Sequence, residues 1–479
     1  MRLPIKAYDL VVVGGGAAGF SALVKFTELT GGEGQIALVT QGPLGGTCVN
    51  TGCVPSKYLI ETCKVLKAAR VAQERGIALG DPKIDFPRVM QGARDLVKSL
   101  RQGKYEALLD RYPNVTLYRG RARFTGPRTI QVEGEQKAAV EGRHLLIATG
   151  SRPLVPPIEG LERVSYHTTD TIWGLSERPG RLLMVGAGAV GLELAQVFAR
   201  LGVEVEVVEV LDRPIPTTEP ELSQELARVM AEEGVRFLFK SRVSSLRERN
   251  GQVEAEMVGP AGTRRQEYDL VLVATGRRPN SDNLGLEAAG VKTDAKGYIQ
   301  VGQDLKTTNP HIYAAGDVAG SPKPALLETL AAKEGAVAAE NIVRNGGKSI
   351  DYRSVPVVVF TDPELAYVGL TERAVIEQLG ACSCRTVRFK DLPRAGIVGV
   401  EEGLAKLILD PRTGTIEGIH LLAPNASEYV VGAALLVKHR YTVEQLLDLV
   451  HAFPTSAELV KLAAQAFLRR PEEMPCCVE

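Results

Sequence analysis

The sequence predicts an α/β protein: two βαβ units with parallel sheets, followed by a smaller α+β unit. Three observations carry this. A strand–glycine turn–helix–strand order occurs twice, from Tyr8 to Val39 and from Arg181 to Glu209. The apolar runs Leu145 to Gly150 and Leu270 to Gly276 both finish in Ala-Thr-Gly and close these units. After about residue 346 the character changes to short strands followed by helices.

In chain order, the first unit opens with a strand Tyr8 to Val13. Gly14-Gly15-Gly16-Ala17-Ala18-Gly19 follows, then a helix to about Leu29 and a strand Gln35 to Val39. This is the context of a Rossmann-like fingerprint. Gly14 allows the tight turn, Gly16 lets a pyrophosphate approach the helix N-terminus, and Gly19 lets helix and strand pack closely. The pattern recurs as a strand Arg181 to Val185, the turn Gly186-Ala187-Gly188-Ala189-Val190-Gly191, a helix Leu192 to Leu201 and a strand Val203 to Val208 ending at Glu209. Two fingerprints imply two nucleotide sites. The simplest pairing is a tightly held FAD and an exchangeable NADH or NADPH. Residues 1–150 and 277–345 are therefore expected to form a discontinuous FAD-binding domain, and residues 151–276 the NAD(P)-binding domain. Residues 346–479 form the third domain. Its expected strands are Val355 to Phe360, Arg385 to Phe389, Ala405 to Leu409 and Gly418 to Leu422. Thr361 to Glu364 reads as a turn, and helices fit Glu428 to Lys438, Val443 to Leu449 and Ser456 to Phe467.

The 479 residues carry 57 Lys+Arg and 57 Asp+Glu, so no charge excess draws the chain to nucleic acid or an anionic membrane. No apolar stretch is long enough to span a bilayer, and the N-terminus lacks a signal sequence. A cytoplasmic protein is expected. Seven cysteines are too sparse for a disulfide-stapled scaffold. Paired cysteines then read as catalytic or redox-sensing rather than as a staple.

Two cysteines stand five positions apart in Gly45-Gly46-Thr47-Cys48-Val49-Asn50-Thr51-Gly52-Cys53-Val54-Pro55-Ser56-Lys57. A pair this close can close a small disulfide ring and open it again. Small neighbours admit a flat cofactor or a thiol partner. The run resembles the redox-active disulfide of the flavoprotein disulfide reductases. Thr307 to Asp317 resembles that family's second flavin motif, whose aspartate accepts ribityl hydroxyls. The likeness covers essentially the whole chain. It implies FAD held by Gly14, Gly16, Gly19, Gly46, Thr47, Lys57, Thr149, Gly150 and Asp317. It implies nicotinamide dinucleotide at Gly186, Gly188, Gly191, Glu209 and Gly276. Cys53 becomes the thiol beside the flavin and Cys48 the exchanging thiol. Lys57 pairs with Glu193, and residues 346–479 build a homodimer whose active sites are shared across subunits.

Members that reduce organic disulfides carry a His-Pro acid/base near the C-terminus, with a Glu four residues after the Pro. The matching segment here is His451 to Glu458, with Phe453 where the His belongs and Glu458 retained. Phenylalanine carries no proton. The chain ends Cys476-Cys477-Val478-Glu479, vicinal thiols able to capture a soft cation. Together these features resemble the mercuric reductases. That likeness implies Hg(II) thiolate complexes as substrate and Cys48, Cys53, Cys476 and Cys477 as metal ligands. It places Tyr105, in Leu100 to Glu106, beside the metal.

Three departures stand out. The chain starts directly at the flavin unit, without the N-terminal metal-binding domain of many mercuric reductases. Phe453 replaces a tyrosine common there. Thr40 and Gln41 stand where an acid usually meets the adenosine ribose. Glu209 favours NADH by repelling a 2′-phosphate, unless Arg213 turns inward. The competing readings are a dihydrolipoamide dehydrogenase-like reductase and a flavin redox sensor without turnover.

Overall fold

Apolar strands of alternating register organise both halves of the chain. The computed structural model describes residues 4–80, 82–135, 137–320 and 326–469, so Cys476 and Cys477 lie outside the described residues. Two compact units emerge: residues 1–56, 91–154 and 276–352, and residues 57–90, 155–275 and 353–479.

In the first unit the strand Ile5–Val13 lies between Ile36–Thr40 and Ala138–Ile147, parallel to both. Val115–Arg119 and Ile312–Ala314 extend the parallel sheet. Arg121–Phe124 and Thr129–Glu133 add an antiparallel edge. The two faces follow the strand period of two. Leu10, Val12 and Leu38 pack against helices with Ala22, Leu23, Val337 and Ala338. Val11, Val13 and Val39 pack against Ile130, Val132 and Leu284 on the other face. The helix Ala17–Leu29 leaves the sheet at the carboxyl end of the first strand, where open α/β sheets bind ligands.

The second unit repeats the plan. Its parallel sheet runs Arg236–Leu238, Glu204–Val208, Arg181–Val185, Leu270–Val273 and His167–Thr168. A three-stranded antiparallel meander, Arg242–Arg249, Gln252–Gly259 and Gly262–Tyr268, shares a core with it. A five-stranded antiparallel sheet then runs Val357–Val359, Glu364–Gly369, Ile416–Ala423, Leu404–Leu409 and Ser383–Arg388. Helices Ala426–Lys438 and Glu458–Gln465 cover one face of it.

The structure adds a strand, Glu364–Gly369, directly after the expected turn. It opens on an acidic residue, Glu364, which hid it from apolar patterning. The last helix, expected over Ser456 to Phe467, is the shorter Glu458–Gln465. Among the described residues no helix is long and apolar enough to cross a membrane.

Candidate active site

In the first unit, Gly14 and Gly46 show why the nucleotide loop needs glycine. Gly14 has φ +122°, and a Cβ there would meet the Ala148 carbonyl oxygen at 2.1 Å. Gly46 has φ +62°, and its Cβ would lie 2.7 Å from the Gly16 Cα. The fingerprint turn and the cysteine loop thus touch backbone to backbone. Gly16 is the N-cap of the Ala17–Leu29 helix, with extended φ and ψ and no side-chain cap. Its first-turn N–H groups suit a phosphate.

Cys48 sits in a short helix, Gly46–Asn50, and Cys53 opens the helix Cys53–Glu74. Asn50 secures this loop. Its Nδ2 donates to the carbonyls of Leu44 (2.9 Å) and Gly46 (2.8 Å), and its Oδ1 accepts from Arg101 at 3.2 Å. Thr47 Oγ1 accepts from Arg277 Nη2 at 3.4 Å. Arg277 Nε also donates to Ser151 Oγ (2.7 Å), which donates to Asp317 Oδ2 (2.6 Å). One carboxylate oxygen of Asp317 is therefore committed to Ser151. Thr149 is tied to Asn280 through its hydroxyl and its carbonyl, at 2.8 and 3.0 Å, and Gly150 has φ +67°. Uncapped helix donors, a contact that excludes a Cβ and the placed Asp317 fit the dinucleotide the sequence implies.

Tyr105 lies in a single π-helical turn, Gln102–Glu106, directly after the helix Phe86–Arg101. Such turns often mark functional sites. Its ring packs edge-on against Phe20, centroids 4.9 Å apart. Its hydroxyl is held above the usual range by burial, then by the charges of Glu328, Cys48 and Cys53.

Sequence reasoning missed Glu328. It is the first residue of the helix Glu328–Arg344, far along the chain from the cysteines. One of its carboxylate oxygens and the sulfurs of Cys48 and Cys53 all lie within 4.8 Å of one another. The Cys48 thiol is pushed up strongly, first by its hydrogen bond with Cys53, then by burial and by the charges of Cys53 and Glu328. Glu328→Gln removes one of the raising charges. Alkylation of Cys48 in the reduced protein should then shift to lower pH and run several-fold faster near neutrality. An unchanged pH profile would separate Glu328 from the pair.

In the second unit Lys57 stands one turn after Cys53 along the same helix. Its Nζ bonds Glu193 Oε2 at 2.8 Å and lies 4.5 Å from the centre of the Phe360 ring. Glu193 is buried, and its Oε1 accepts from the Phe360 backbone N–H at 2.9 Å. A buried carboxylate with both oxygens used holds this lysine in one place.

Gly188 caps the helix Ala189–Arg200 without a side chain, as Gly16 does in the first unit. Gly186 and Gly276 both have positive φ, and Gly191 packs against the carbonyl of Gly186. Glu209 accepts from two backbone N–H groups. Its Oε2 accepts from Ala187 N (2.8 Å) in the fingerprint turn, and its Oε1 from Leu211 N (2.9 Å). The carboxylate therefore shapes the fingerprint loop, and each oxygen keeps a second lone pair. Arg213 bonds Asp212 and the Pro216 carbonyl.

Phe453 is 49% exposed, and Leu449 and Val450 beside it are 48% and 94% exposed. Glu458, the first residue of the helix Glu458–Gln465, accepts at its Oε2 from Thr455 N at 3.1 Å in the preceding turn. His451 bonds the Leu446 carbonyl at 3.3 Å.

Two uncapped dinucleotide loops, a close cysteine pair and a positioned Lys–Glu pair define a nucleotide-dependent disulfide oxidoreductase. The chain belongs to the pyridine nucleotide-disulphide oxidoreductases: their family model matches residues 8–335, and their dimerisation domain matches residues 355–464. It is 37% identical to the mercuric reductase of Streptomyces lividans over 98% of both chains. It is 35% identical to that of Lysinibacillus sphaericus, over 98% of this chain and 84% of the relative. The dihydrolipoyl dehydrogenase of Vibrio cholerae is 32% identical over 99% of this chain and 98% of its own. A HOCl-induced flavoprotein disulfide reductase of Escherichia coli, solved as its Cu(II) complex, superposes with TM-score 0.85 at 26% identity. That match covers 96% of this chain and 99% of the other.

Proposed function

We propose that the protein is an NAD(P)H-dependent FAD flavoenzyme that reduces Hg(II) to Hg(0) at Cys48 and Cys53. The observation that carries this reading is an intact inner dithiol in a chain whose disulfide acid/base position is Phe453. Reduction of thiolate-bound Hg(II) takes two electrons and needs no proton delivered to a leaving thiol, so the missing imidazole is dispensable. Bound FAD supplies the two-electron relay from the nicotinamide to the sulfur pair. Cys53 is the inner thiolate beside the flavin, and Cys48 exchanges with the incoming complex. Lys57, fixed by Glu193, supplies the positive charge that favours a thiolate nearby. Tyr105, beside the pair, bounds the space the ion enters.

In this reading Cys476 and Cys477 of the partner subunit take Hg(II) from its carrier thiols and hand it inward. Thiolate replaces thiolate at each step, so the gain is access and rate rather than affinity. The homodimer this requires is supported by the dimerisation-domain match and the exposed apolar Leu449, Val450 and Phe453. The Cys476→Ala/Cys477→Ala variant should keep its flavin and reduce its inner disulfide normally. It should turn over Hg(II) slowly from bulky thiol complexes and much faster from bromide. Wild-type turnover on bulky complexes would remove the tail from the account.

Glu209 sets the nucleotide preference in this reading, with NADH at least competitive with NADPH. A charge-assisted hydrogen bond is worth about 1.5–3 kcal/mol. Glu209→Ala should weaken NADH use by roughly one to two decades, through the ribose and the Ala187 loop together. A strong wild-type preference for NADPH would point to Arg213 instead. The similarity to a dihydrolipoyl dehydrogenase keeps one rival in view. Anaerobic NADH or NADPH oxidation with Hg(II) and excess thiol, against oxidised lipoamide, separates them: turnover on lipoamide alone would install the rival.

A further inference from the structure

Cys382 and Cys384 have no part in the reaction above, yet they face each other with sulfurs 2.9 Å apart. Cys382 precedes the edge strand Ser383–Arg388, and Cys384 is its second residue. On a strand, residues two apart share a face. Val387 turns into the core, and Cys384 lies on the opposite face with Thr386. Thr386 is paired across the ladder with Lys406.

Lys406 is buried under carboxylates. Its Nζ lies 2.7 Å from Glu219, 2.9 Å from Glu221 and 2.6 Å from Glu372. Three carboxylates surround one ammonium, an excess of two negative charges. Glu372, held below the usual carboxylate range chiefly by its bond to Lys406, is ionised. Its Oε2 is committed to Lys406, while its Oε1 accepts from the Cys382 thiol at 3.6 Å. Its backbone N–H donates to Glu219 Oε1 at 2.7 Å. One oxygen of Glu372 and both sulfurs lie within 4.8 Å of one another.

We propose that Cys382, Cys384 and Glu372 form a binding site for a thiophilic divalent cation of the Zn(II) or Cd(II) class, separate from Cys48 and Cys53. Two sulfurs and one carboxylate oxygen suit a borderline-soft d10 ion and exclude Mg(II) and Ca(II). Tetrahedral coordination at a metal–sulfur distance of about 2.3 Å sets the sulfurs about 3.8 Å apart, a small opening of the present pair. The fourth position is left for water or an exogenous thiol. The cation's two charges replace the two thiol protons it displaces, so binding leaves the net charge of the cluster unchanged. Extended backbone places alternate Cα atoms about 6.6 Å apart, at the upper limit for a disulfide.

The site stands apart from the mercury reading and is tested without turnover. The probe is Cd(II), titrated into full-length holoenzyme with Cys48, Cys53, Cys476 and Cys477 changed to serine. One Cd(II) per chain should bind with an ultraviolet thiolate-to-metal band and release protons. Cys384→Ser in that background should abolish the band, and Glu372→Gln should weaken binding at least about tenfold. In the otherwise wild-type chain, Cd(II) should protect Cys382 and Cys384 from alkylation, which serves if the serine variant does not fold. A band that survives Cys384→Ser, or alkylation of both cysteines unaffected by Cd(II), would overturn the proposal.

Discussion

Replacing Cys53 with serine should abolish the long-wavelength thiolate-to-flavin absorbance of the two-electron-reduced protein. Replacing Cys48 should leave that band present without any reduction. The asymmetry follows from the roles proposed for the two thiols. The Cys48 thiol is raised by its hydrogen bond with Cys53, by burial and by Glu328, and in the proposed function Cys53 is the thiolate beside the flavin. With Cys48 gone, nothing can close the ring, and the Cys53 thiolate persists. Either substitution should lower mercury turnover by roughly four to six decades, the scale on which removing a nucleophile acts. Absorbance spectra of the two variants under anaerobic titration check this. A band that survives Cys53→Ser would exchange the roles of the two cysteines.

The Phe453→His substitution should create activity on organic disulfides. It restores the His-Pro order ahead of Glu458, whose Oε2 is engaged by Thr455 and whose Oε1 can orient an imidazole. General acid/base catalysis is worth about 10²–10⁴-fold, and that is the expected gain in NAD(P)H-dependent reduction of oxidised lipoamide. Phe453 is half exposed, so the exchange leaves no cavity in the core. A folded, flavin-loaded variant with no gain would mean that other walls of the pocket exclude disulfides.

Both fingerprints were legible because glycine spacing and apolar strands are local signals, and their structural counterparts begin and end within a few residues of expectation. The meander from Arg242 to Tyr268 was not read. Its strands carry runs of charge, such as Arg-Glu-Arg and Thr-Arg-Arg-Gln-Glu, and only alternate residues face the core. Glu364–Gly369 was hidden by its acidic start. Lys57 and Glu193 were paired from the family likeness, and the structure adds the Phe360 backbone that fixes them. Glu328 carried no sequence signal, because only tertiary folding brings it to the cysteines. Glu209 directly follows the strand Glu204–Val208, but its bonds to Ala187 and Leu211 depend on how the loop closes. The clustering of Glu219, Glu221 and Glu372 on Lys406 likewise joins distant segments.

In the proposed function the inner dithiol delivers two electrons to mercury. The direct measurement is anaerobic release of volatile Hg(0) from Hg(II) bis-thiolate, followed together with NAD(P)H consumption in the wild type and in Cys48→Ser/Cys53→Ser. The account predicts one Hg(0) for each NAD(P)H oxidised by the wild type, and none from the double variant. Nicotinamide oxidised without Hg(0), or Hg(0) released at the wild-type rate by the variant, would contradict it.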